Sequence, residues 1–140
     1  MSSWQTTFYN TKVKPFLKYE QEAAERIKKL FNVEILNFNN DNKYDFIDSN
    51  DIKSEVKYDG YSIKSGNFLI EYKGYGKPSG ISTTEAQYYI ITDGNNYYMI
   101  CTKQLKSLCA QYGVTRCTKD GLTFAHIINI NIIIGNSQLI

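Results

Sequence analysis

Asp45, Glu55 and Lys57 are the residues whose types and spacing most directly suggest chemistry: a carboxylate, a nine-residue gap, then Glu-x-Lys. They lie within two short runs, Tyr44-Asp45-Phe46-Ile47 and Ser54-Glu55-Val56-Lys57-Tyr58, whose composition predicts β-strands. Residues two apart in a strand share a face, so Glu55 and Lys57 project together. If the two strands pair, Asp45 joins them. Two carboxylates and an ammonium at a sheet edge suit hydrolysis of a phosphodiester. That reaction needs a positioned water, charge stabilisation and help for the leaving oxygen. Carboxylates holding Mg²⁺ supply much of this, and Mn²⁺ is expected to substitute. Asp45 and Glu55 offer hard oxygen ligands, the backbone carbonyl of Val56 a third, and Lys57 a cation for the attacking water or the developing charge.

The elements that must position these groups follow from hydrophobic period. After Pro15, the residues Ala23, Ala24, Ile27, Leu30 and Phe31 recur at helical spacing. Glu20 precedes Ala23, Ala24 and Ile27 by three, four and seven residues, so it shares their stripe. A carboxylate there needs a partner, and a metal site is one. Strands are predicted at Val33–Phe38, Lys43–Asp48, Lys53–Tyr58 and Asn67–Lys73, with turns at Asn40-Asp41-Asn42 and Ser49-Asn50-Asp51. A Gly-rich loop spans Gly74 to Gly80, and a short helix is predicted from Ser82 or Thr83. Asp93-Gly94-Asn95-Asn96 joins the strands Tyr88–Thr92 and Tyr97–Thr102 as a hairpin. A helix around Lys103–Tyr112 and a strand near Phe124–Ile134 complete an α/β sandwich.

Composition narrows the function classes. The chain has 140 residues, 42% hydrophobic and 21% charged, as expected of one globular domain spanning 1–140. No apolar run reaches the ~18 residues of a membrane span, and the N-terminus lacks the layout of a signal peptide. Cys101, Cys109 and Cys117 have no CxxC spacing and read as free thiols of a reducing, cytoplasmic compartment. With one histidine, His126, histidine metal clusters and a Ser-His-Asp triad are disfavoured, and that residue reads as a core histidine. The net charge of +2 is modest, but lysines and tyrosines interleave from Lys57 to Lys77. That pattern suits phosphates and bases. Lys77, Ser79, Thr83 and Thr84 are candidate DNA-binding residues at the start of the predicted short helix; a Gly/Pro turn with an N-cap explains them equally well. Trp4 and Tyr9 read as packing residues.

Asp45-x9-Glu55-Val56-Lys57 resembles the PD-(D/E)xK nuclease signature, with Tyr44 in the place of the proline. The order of elements resembles that superfamily's restriction-endonuclease-like αβββαβ core, a central mixed sheet flanked by helices. The stretch from Glu55 through Glu71 to Tyr89 is similar to small phage-encoded members. The spacing also resembles Holliday-junction resolvases, which add a glutamate from the first helix; Glu20 fits that place. The resemblance covers roughly residues 19 to 92. It implies a Mg²⁺-dependent DNA endonuclease acting on branched DNA, working as a homodimer off the membrane, in the host cytoplasm if phage-encoded. A restriction or nicking enzyme and a non-cleaving DNA-binding protein on the same fold are the alternatives.

A second register stays open, because roughly 0.7 Glu-x-Lys triplets are expected by chance and the chain holds two. Glu71-Tyr72-Lys73 with Asp59 forms the alternative triad, and cross-strand Lys–Glu pairing on a solvated face explains either triplet without chemistry. The Asp45 register is preferred because Asp59 abuts the turn residue Gly60. Glu71 is then an additional carboxylate near the site.

Overall fold

The computed structural model describes residues 14–38 and 43–140, with side chains from 17 onward. Trp4, Tyr9 and the Asn40-Asp41-Asn42 turn lie outside the described residues. Helix α1 (Lys14–Phe31) leads into β1 (Ile35–Phe38), β2 (Phe46–Asp48) and β3 (Lys53–Tyr58). A single-turn helix α2 (Ser62–Ser65) precedes β4 (Asn67–Gly74), β5 (Lys77–Pro78) and a 3₁₀ turn at Gly80–Ser82. Strands β6 (Tyr88–Thr92) and β7 (Tyr97–Cys101) follow, then α3 (Thr102–Tyr112) and β8 (Val114–Cys117). Last come β9 (Thr123–Asn129), α4 (Ile130–Gly135) and β10 (Gln138–Leu139).

These elements form a mixed α/β fold with helices flanking two sheets. The larger sheet runs β1-β2-β3-β6-β7-β10. Its strands pair antiparallel except β3 and β6, which are parallel from Ser54↔Tyr88 to Tyr58↔Thr92. The smaller sheet is antiparallel and runs β5-β4-β9-β8. Side-chain alternation explains the layering. On β6, Ile90 packs with Ala23, Ala24 and Ile27 of α1, while Tyr89 and Ile91 pack with Phe68 and Ile70 of β4 and Leu105 of α3. Strand β6 is thus buried from Tyr89 to Thr92 because both its faces are covered. The alanines of α1 let the helix lie close on the sheet.

Several predicted elements take another form. Leu30 and Phe31 belong to the apolar stripe of α1 by spacing, yet are 51% and 43% exposed; Phe31 lines a cavity with Ser54, Tyr88 and Met99 of the larger sheet. The single central sheet is two sheets: β4 pairs with β9 rather than joining β3. No α-helix starts at Ser82 or Thr83. The Thr84 hydroxyl donates to the carbonyl of Lys43 at 3.0 Å, and the Glu85 N–H donates to the same carbonyl at 2.8 Å, which draws the chain straight into β6. The last strand stops at Asn129, whose side chain accepts the Asn131 N–H at 2.8 Å and caps α4. Cys101, Cys109 and Cys117 are free thiols. Among the described residues no helix is long and apolar enough to cross a membrane.

Candidate active site

The nine-residue gap is the length of a hairpin that sets Asp45 against Glu55. The register Phe46↔Ser54 and Ile47↔Lys53, continued by one residue, brings the two carboxylates opposite each other. Asp48 closes the turn by accepting the N–H groups of Asn50 at 2.8 Å and Ile52 at 3.1 Å. At the open end, the Asp45 N–H donates to the Ser54 carbonyl at 2.8 Å. Its Oδ2 then accepts the Val56 N–H at 2.7 Å, beyond the point where β2 pairing stops. The N–H and C=O of one strand residue point to the same side, so the Val56 carbonyl faces this same edge. Glu55 is 8% exposed, and its Oε1 lies 3.1 Å from Lys57 Nζ.

Helix α1 adds Glu20. Its neighbour Tyr19 stacks on Tyr58, the residue after Lys57, with ring centroids 4.2 Å apart and planes 6° from parallel. This stack fixes the helix against the end of β3 and brings Glu20 to hydrogen-bonding contact with Asp45. The other glutamates of α1 are engaged elsewhere: Glu22 accepts the hydroxyl of Tyr97 and lies 3.9 Å from Lys18, and Glu25 is exposed.

The electrostatics are those of crowded anions. Glu20 is pushed up to about 7, first by burial, then by the charges of Asp45 and Glu55 and by its bond to Asp45; Lys57 pulls the other way. Asp45 is raised by burial, against the opposing pull of the Val56 N–H, Lys57 and Glu20. The bond between the two carboxyls raises Glu20 and lowers Asp45, so Glu20 is the one that favours holding a shared proton. Tyr89, beside Glu55 across the parallel pairing, is raised by burial and then by Glu55 and Asp45.

A cavity of about 410 Å³ opens over these groups, bounded by Asp45, Glu55, Lys57 and Glu71, with Ser79 and Thr83 at its rim. Glu71 reaches it from the second sheet, where its Oε2 accepts the Ser79 hydroxyl at 2.8 Å. Gly80 makes that wall possible. Its φ of +54° is left-handed, and a Cβ there would collide with the Glu71 carbonyl oxygen. Lys73 is not part of the cavity; its Nζ lies 5.2 Å from the ring of Phe124. Lys77 is exposed on β5. The candidate phosphate-binding helix start is thus dispersed: Ser79 serves Glu71, and Thr84 serves Lys43. Sequence reasoning did not find the Tyr19–Tyr58 stack, although both tyrosines adjoin singled-out residues.

Three buried or half-buried carboxylates, Asp45, Glu55 and Glu20, face one ammonium at this spot, an excess of two negative charges when all are ionised. Hard oxygen donors with that excess fit a divalent cation. Among the described residues no three such side chains are already drawn around one point at metal-ligand distance. A proton on Glu20 and the Lys57 ammonium meet part of the charge instead. No protein-family model matches the chain, and no curated protein matches it.

Proposed function

We propose that this chain is a Mg²⁺-dependent DNA endonuclease of the PD-(D/E)xK kind, with branched DNA, a Holliday junction first, as its substrate and a homodimer as its working form. The observation that carries this reading is the meeting of Asp45, Glu55 and Lys57 over one cavity, with Glu20 of α1 against Asp45. The order of strands supports it: an antiparallel β1–β2–β3 unit, then β6 parallel to β3, with α1 packed on one face. It departs from the αβββαβ pattern where β4, β5 and the 3₁₀ turn occupy the place of the second helix.

In this reading Asp45, Glu55, Glu20 and the Val56 carbonyl would hold the cation. Mg²⁺ supplies Lewis-acid polarisation of the phosphate and acidifies water when bound. Glu20 would hold the cation as a carboxylate, its proton passing to solvent. Lys57 donates hydrogen bonds to a phosphate oxygen, stabilising the charge that grows in the transition state. The Val56 N–H holds Asp45 in place. Symmetric cleavage of a junction takes two such sites, hence two protomers.

A panel of junction, flap, duplex and single-stranded DNA, incubated with Mg²⁺ or Mn²⁺, tests the proposal. Paired nicks in the junction, absent in EDTA, are expected. Cleavage confined to one duplex sequence would replace the substrate class with that of a restriction or nicking enzyme. Binding without cleavage by folded protein in either metal would make it a DNA-binding protein on this fold.

A further inference from the structure

The cavity over the carboxylates adjoins a second one. Lys57 and Glu71 line both. The second cavity, about 360 Å³, lies between the end of β3 and the outer edge of β4. Its floor is apolar, from the buried Ile70, Tyr89 and Ile91, and half-exposed Leu69 and Tyr58 stand at its sides with Lys57 and Glu71. Asp59 also lines it. Asp59 is held firmly. Its N–H donates to the Thr92 carbonyl at 2.9 Å, its carbonyl accepts the Ser62 hydroxyl at 2.6 Å, and its Oδ2 accepts the Leu69 N–H at 3.1 Å.

We propose that this second cavity receives the base of the nucleotide next to the phosphate under attack, and that Asp59 selects a base carrying an amino group. The inference rests on the endonuclease reading above and names the substrate feature that site takes. Adjacency sets the occupant: a strand whose phosphate lies at Lys57 must place its adjoining sugar and base within one nucleotide of it. Charge excludes a second phosphate, because Asp59 and Glu71 outnumber Lys57 there. An uncharged ring suits an apolar floor, and the volume lies at the small end of ligand pockets, room for a base rather than a run of chain. A carboxylate only accepts hydrogen bonds and has about four acceptor positions, so the bond to Leu69 leaves capacity for a base edge. Cytosine, adenine and guanine present amino donors. Thymine presents one N–H between two carbonyl oxygens, which a carboxylate repels. The base must also be out of the helix stack, at a cost of a few kcal/mol in duplex and least where it is already unpaired. A branch point supplies such a base.

Binding in EDTA tests this without any cleavage. The probes are fluorescent single strands of about 12 nucleotides, made of deoxycytidine, of thymidine, or of abasic deoxyribose phosphate. The parent protein is expected to bind the cytosine strand about tenfold more tightly than the abasic one, with thymidine weaker than cytosine. Asp59→Asn keeps an acceptor for the Leu69 N–H but adds a donor, and should erase the preference for cytosine over thymidine. Leu69→Trp narrows the cavity and should bring cytosine and abasic strands together while leaving the salt dependence unchanged. Equal affinity for all three strands in the parent, or a cytosine preference that survives both variants, overturns the proposal. Metal-dependent cleavage with base-indifferent binding removes the base pocket and leaves the endonuclease standing. Base-selective binding that Asp59→Asn abolishes, in a protein that cuts nothing, upholds the pocket and removes the endonuclease.

Discussion

The same triplet occurs twice in this chain, and the two copies have different fates. Glu55-Val56-Lys57 lies in a regular strand, so its glutamate and lysine stay on one face and pair at 3.1 Å beside Asp45. Glu71-Tyr72-Lys73 lies across a β-bulge: Glu71 pairs with Ala125 and Lys73 with Phe124, leaving Tyr72 over. The extra residue breaks the two-residue alternation. Glu71 reaches the cavity and Ser79, whereas Lys73 settles by Phe124. Spacing in sequence becomes proximity in space only where the strand is regular. The bulge thus separates the Asp59–Glu71–Lys73 set, while Asp59 and Glu71 remain neighbours of Lys57.

The sharpest way to break this contrast is to remove a carboxylate from the regular copy. Asp45→Asn or Glu55→Gln should abolish cleavage with the circular dichroism spectrum unchanged, and Glu71→Gln should leave turnover measurable. Full activity in Asp45→Asn would refute the site. Next in size are the lysines. Lys57→Ala should slow single-turnover cleavage about 10²-fold or more, as expected for a lost donor to the transition-state charge. Lys73→Ala should stay near the parent rate. The reverse ranking would move the chemistry to the bulged copy.

Glu20 tests the electrostatics rather than the triplets. Its folded pKa of about 7 lies above the ordinary 4.5, so the folded state holds this proton more tightly than the unfolded chain does. The resulting stabilisation is complete below pH 4.5 and is lost as pH rises through 7. In EDTA, the melting temperature of the parent should therefore fall across that window relative to Glu20→Gln, and Glu20→Gln should be the more stable at pH 8. Added Mg²⁺ at pH 8 should stabilise the parent more than the variant. Superimposable pH profiles would place Glu20 outside the cluster.

The smallest effects concern the wall that brings Glu71 in. Gly80→Ala combines left-handed backbone with collision at the Glu71 carbonyl, and should cost at least about 1–3 kcal/mol in urea denaturation. Gly76→Ala has φ +75° but open space around its Cβ, so it should cost less. Equal losses would mean that the close approach of the 3₁₀ turn to β4 contributes nothing.

What lay in the residues themselves was local. The helical stripe of α1, the β2–β3 hairpin with its nine-residue spacing and the β6–β7 hairpin at Asp93-Gly94-Asn95-Asn96 all follow from period and turn chemistry over fewer than about twenty residues. Those local rules place Asp45, Glu55 and Lys57 together and align Glu20 with the buried face of its helix. What only the tertiary structure decided was non-local. The β4–β9 pairing joins residues far apart in the chain, and no period announces a partner. A bulge is one residue of slippage that composition does not mark. The helix expected at Ser82 is lost to the carbonyl of Lys43, a competitor from the segment that leads into β2. Glu71 and the second cavity exist because two sheets face each other across Tyr89 and Ile70. Pairing and packing energies between distant segments set that arrangement, and local propensity carries no record of them.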